Sequence, residues 1–210
     1  MADWVTISSL ATAGGTLVLA VATFASVRSA NQAARTAERA LQVGLRPLLM
    51  PSRLEDPLLK VMWVDGHHSR LEGGRASVEI VDGIVYLAMS LRNAGSGMAV
   101  LHGWYPSATR LRGDHPHAEP ERFRTLTRDL YVPPGDVGFW QGAFRDPAEP
   151  GYAELCEAIQ AHRVLTVELL YGDHEGGQRM VSRFALSSGD GTTWLASVGR
   201  HWNLDRPDPR

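Results

Sequence analysis

The chain has 210 residues, a formal net charge of −2 and 44% hydrophobic residues, values that exclude a disordered polymer and argue against a general nucleic-acid binder. Its one cysteine, Cys156, cannot build an internal disulfide framework and fits a reducing compartment. Charge is unevenly placed: residues 28–53 hold five arginines and one glutamate, while residues from 54 onward carry a net −5. Lys60 is the only lysine against 20 arginines, which with the Ala and Gly content points to a GC-rich coding bias rather than to chemistry.

Residues 4–27 contain no charge. As a helix they reach about 36 Å, enough for a hydrocarbon layer of about 30 Å. A secretory signal peptide is the competing reading, because Thr23, Phe24 and Ala25 resemble a cleavage site, but the leader lacks a positive charge and the apolar core is long. A buried helix of a soluble protein is the other, and it requires the rest of the chain to cover the helix on all sides. No Lys or Arg precedes the span and five arginines follow it, so the N-terminus is expected outside and the remainder on the cytoplasmic side of the inner membrane.

Helical spacing continues through residues 28–46 until Pro47 removes a donor. At 100° per residue Arg28, Arg35, Arg39 and Arg46 fall on one line, suited to anionic headgroups. Ala30, Ala34, Ala37, Leu41 and Gly44 form the opposite seam. Within the span Ala11, Gly15, Ala22 and Ser26 gather on one side, a small-residue face of the kind that brings membrane helices together, so self-association through this helix competes with a stiff connector.

From Pro47 the pattern becomes short apolar or alternating runs at 48–50, 60–64, 76–81, 84–92, 99–105, 130–132, 137–142, 164–171, 179–186 and 194–198, all predicted as strands. Asp82 and Gly83 mark a hairpin. After Pro150, Tyr152, Leu155, Cys156 and Ile159 make one apolar helical stripe, which places Cys156 in the core rather than at a reactive site. Residues 110–128 read as a mobile polar loop, His67 and His68 as part of a turn, and 204–210 as a frayed tail. The expected architecture is mainly β: a transmembrane helix (1–27), a juxtamembrane helix (28–46) and an immunoglobulin-like β-sandwich (47–203).

No phosphate-binding loop, nucleophile elbow, paired cysteines or His-Glu-x-x-His is present, and no cofactor is expected. The residual metal candidate is the loop bearing Asp114, His115, His117, Glu119 and Glu121, whose ligand types suit zinc but whose prolines set no periodic scaffold. Asp173, His174 and Glu175 read as a turn between strands.

Two segments carry a resemblance: residues 91–99, LRNAGSGMA, and 171–177, YGDHEGG. They resemble hairpins of a set of uncharacterised bacterial, in particular actinobacterial, single-span membrane proteins with a charged linker helix and an immunoglobulin-like sandwich. The resemblance implies a membrane-tethered domain and carries over no catalytic residue. The leading expectation is therefore a non-enzymatic interaction or scaffold module whose partners are the bilayer and another protein, not nucleic acid, with residues 93–97 and 113–122 as contact loops. A tethered metal-dependent hydrolase using residues 114–121, and a cytoplasmic small-ligand sensor, are the alternatives.

Overall fold

The computed structural model describes residues 4–112, 114–189 and 193–206, with the backbone alone at 4–11, 39, 42 and 43. The chain is 44% strand and 22% helix, and it divides into two compact units, one ending at Val43 and the other beginning at Gly44.

The first unit is a single helix, α1 (Trp4–Gly44). Leu17, Val18, Leu19, Val21 and Phe24 point to all sides and are each more than 60% exposed, and no residue of 12–38 is buried by this chain. Among the described residues none covers it, unlike the helix of a soluble core. α1 is long and apolar enough to cross a membrane. Two of its hydroxyls are satisfied internally: Thr16 donates to the Thr12 carbonyl at 2.8 Å and Thr23 to that of Leu19 at 2.8 Å. Such i−4 bonds let threonine sit in an apolar helix without an unpaired donor.

The second unit is built on a nine-stranded antiparallel sheet that curls into a half-barrel. Its strands are β1 (Leu49–Pro51), β4 (Arg75–Val81), β5 (Ile84–Asn93), β6 (Ala99–Ser107), β7 (Arg124–Val132), β8 (Val137–Phe144), β9 (Leu165–Gly172), β10 (Arg179–Ser188) and β11 (Trp194–Asn203). They run in the order β1-β5-β4-β11-β10-β9-β6-β7, with β8 pairing β5. β4 and β11 share only two register pairs, Trp194 with Ala76 and Leu195 with Arg75.

Alternation decides which side chains fill the interior. Val85, Leu87, Met89 and Leu91 of β5 face Leu165, Val167, Leu169 and Tyr171 of β9 and Met180, Phe184 and Leu186 of β10 in one core. The helix α2 (Tyr152–Gln160) adds Leu155, Ala158 and Ile159 to it, with Cys156 half-buried against the same cluster. The opposite face of β5 is covered too. A hairpin of β2 (Leu59–Met62) and β3 (His68–Leu71) lays Val61, Trp63 and Leu71 on Tyr86 and Ala88. Two buried faces explain why β5 reads as a nearly continuous apolar run.

Three sequence expectations change. His68 opens β3 rather than lying in a turn, because a short strand with its charged side exposed shows no apolar run. β7 begins six residues before the expected 130, since RTLTRD is exposed edge strand and lacks a buried alternation. Near the C-terminus, Leu204 donates to the Arg179 carbonyl and Arg179 pairs with Asp205, so these residues of the expected frayed tail are bonded; 207–210 lie outside the described residues.

Candidate functional site

α1 ends at Gly44, and residues 45–51 are seated in a socket of the second unit. The socket is the turn after β5. Asn93 is fully buried and uses both ends of its amide: Oδ1 accepts the Leu48 and Gly95 N–H groups at 3.0 Å each, and Nδ2 donates to the Gly97 and Val132 carbonyls at 2.7 and 2.9 Å. The Ala94 N–H donates to the Leu48 carbonyl at 2.7 Å and the Ser96 N–H to the Arg46 carbonyl at 3.0 Å. Glycine is required where it stands, because a Cβ at position 97 would collide with the Leu45 carbonyl oxygen and one at 95 with the backbone of Arg46 to Leu48. The turn at 93–97, expected to contact a partner, thus holds the chain's own linker.

Two further anchors continue the seat. Arg46, expected in line with Arg28 and Arg35, lies past the helix end and donates from Nη2 to Asn203 Oδ1 at 2.8 Å. Arg28 and Arg35 are exposed on α1, as are Gly15, Ala22 and Ser26; the side chains of Arg39 and Ala11 lie outside the described residues. The Leu49 N–H donates to the Tyr171 hydroxyl at 3.2 Å, and Tyr171 lies 2.8 Å from the Ser182 hydroxyl, itself 2.6 Å from His201 Nδ1. Because the Leu49 N–H can only donate, the Tyr171 oxygen accepts it and the hydroxyl hydrogen of Tyr171 is free for Ser182, while the direction between Ser182 and His201 follows the imidazole tautomer. Burial pushes the Tyr171 hydroxyl above the ordinary phenol value, against its bonds to Ser182 and Leu49, which keeps it a donor. The Ser182 and His201 pair resembles a nucleophile and base by type, but Ser182 is fully buried and serves the packing.

The residual metal loop is also tied down. Glu168 and Arg183 stand opposite each other on β9 and β10, both buried, on the face turned away from the core. Arg183 Nε and Nη2 donate to Glu168 Oε1 at 2.8 and 2.5 Å, Nη1 to the carbonyls of Arg112 and His115 at 2.6 and 3.0 Å, and Nη2 to that of Pro116 at 2.8 Å. All five guanidinium hydrogens find an acceptor this way. Glu168 Oε2 accepts the Ala118 N–H at 2.8 Å, and Trp202 lies beneath the Arg183 guanidinium at 4.7 Å. The expected mobile loop is therefore a strap. His115 and His117 each place Nδ1 2.8 Å from the following residue's carbonyl, Asp114 is exposed, and among the described residues no group of three or more His, Cys, Asp or Glu converges on a metal position.

Sequence reasoning missed the Glu168 and Arg183 pair, though a signal existed: each is a lone charge inside an apolar strand run, LTVELLYG and MVSRFAL. Against known proteins the chain matches no protein-family model, no curated protein and no solved structure.

Proposed function

We propose that this chain is a membrane-anchored, non-catalytic interaction module of the single-span bacterial type it resembles, with an immunoglobulin-like sandwich held at the cytoplasmic surface. The observation that carries the reading is the socket: a helix with every apolar side exposed passes into a linker that the domain grips through Asn93, Gly95 and Gly97. The mainly antiparallel strands curled around one core support the sandwich reading, and the positive flank after residue 27 supports the orientation.

The outer edges of β7 and β8 have no partner strand among the described residues, and these edges are where an extended segment of another protein adds a strand. The anchoring is tested by alkaline carbonate washing of membranes from cells making the full chain. Retention in the pellet, with release of a chain lacking residues 1–43, is expected; release of the full chain would remove the anchor. Photo-crosslinking from Thr127 on β7 tests the partner claim, and recovery of lipid adducts alone would count against it.

A further inference from the structure

We propose that the cavity beside the N-terminus of α2 binds a phosphate monoester of a small hydroxylated compound. The cavity holds about 470 Å³, within the range of about 300–1,000 Å³ usual for small-molecule sites. It is independent of the anchoring described above, being formed by β6, the start of β7, the end of β8 and α2.

Two arginines face it, each stacked on an aromatic ring. Arg122 Cζ lies 4.9 Å from the Tyr105 ring centre and its Nη2 donates to the Tyr105 hydroxyl at 2.7 Å. Arg124 Cζ lies 4.1 Å from the Phe144 ring centre and 5.1 Å from that of Trp104. Arg124 also pairs with Glu149, which fixes one nitrogen. A guanidinium carries five N–H groups, so these bonds, the only ones either side chain makes among the described residues, leave most of both forks for a ligand. Stacking holds their planes in advance, the condition under which arginine binds phosphate best.

Across the cavity α2 begins at Gly151, with φ of +86° and no side-chain cap; the Tyr152 N–H is taken by the Glu149 carbonyl, so the helix end contributes a favourable dipole for an anion rather than its first donor. Glu154 lines the same cavity. Its carboxylate repels a second anionic group and accepts hydroxyl hydrogens, which selects a monoester with a polyol body over a bisphosphate. Ser107 adds a neutral hydroxyl on the wall.

The test is calorimetric titration of the full chain in zwitterionic detergent micelles with glycerol 3-phosphate, glycerol and fructose 1,6-bisphosphate. Glycerol 3-phosphate is expected to bind with Kd below about 1 mM, glycerol not to bind, and Arg122→Gln to weaken binding roughly tenfold, the worth of one charge-assisted hydrogen bond. Arg122 is the variant of choice because its loss leaves the Arg124 and Glu149 pair intact. Glu154→Gln is expected to raise affinity for the bisphosphate. Phosphatidic acid added to the micelles separates the two sources of the group: displacement of glycerol 3-phosphate assigns a lipid headgroup, and no displacement assigns a soluble ester. Absence of saturable binding by folded protein, or an affinity unchanged in Arg122→Gln, would overturn the site.

Discussion

Asn93 carries more of the linker's seat than any other side chain, and its role depends on amide chemistry rather than on size. Asn93→Ala leaves two half-buried N–H groups and two buried carbonyls without their partner, each buried one worth about 1–3 kcal/mol, so a loss of about 3 kcal/mol in urea unfolding is expected. Asn93→Asp separates the two halves of the amide: it keeps the acceptor but sets a second oxygen against the Gly97 and Val132 carbonyls, and it should cost as much as the alanine. An aspartate as stable as the native chain would refute the bonding described. Tyr171→Phe should cost about 1–2 kcal/mol and speed hydrogen exchange at the Leu49 amide, since that N–H loses its acceptor. The spacing Asn-x-Gly-x-Gly was legible as a turn because glycine advertises backbone freedom. What fills the turn was not legible, because a close approach between residues 45 and 97 is written in distance rather than in local pattern.

Among the elements, the strands with one buried face and the helix α2 were readable, because period 2 and period 3.6 survive wherever a core lies on one side. β3 and the first half of β7 were not, because their exposed residues leave no apolar period, and the expected mobile loop at 110–128 hides, in its polar composition, the backbone bonds of Arg112, His115 and Pro116 to Arg183. Replacing Glu168 by Gln leaves the Arg183 charge buried without its counter-ion. That change should destabilise the domain by about 3 kcal/mol or more and speed trypsin cleavage after Arg112, both measurable in one limited-proteolysis series. Rapid cleavage of the native strap, equal to that of the variant, would contradict the tie.

The acid behaviour belongs to the elements as well, since the groups concerned join one element to another. Hydrogen bonding to Arg179 holds the Asp205 carboxyl below the usual carboxylate value. At Asp65 burial pushes upward, but hydrogen bonds from Tyr86, the His67 N–H and Arg145 outweigh it and keep that carboxyl low, and Glu149 behaves likewise beside Arg124. A carboxyl depressed in the folded state contributes its full stability above its unfolded value, about pH 4, and loses it as pH falls through the folded one. The urea midpoint should therefore begin to drop only below about pH 4, and Asp205→Asn should make that drop shallower. An equal slope in the variant would show that Asp205 adds nothing.

At the scale of the whole molecule, one unit is a helix whose residues 12–38 are exposed throughout among the described residues, and the other is a domain layered by a hairpin on one sheet face and a strap on another. The uncharged run made the helix legible at once, because lipid-facing sequence must exclude charge along its whole length. The proposed orientation rests on the arginines that follow it. It is tested most directly by adding protease to intact spheroplasts that make the full chain with a tag at each end. The account predicts that the C-terminal tag and the domain survive until the membrane is lysed, while the N-terminal tag is removed; digestion of the domain in intact spheroplasts would contradict it.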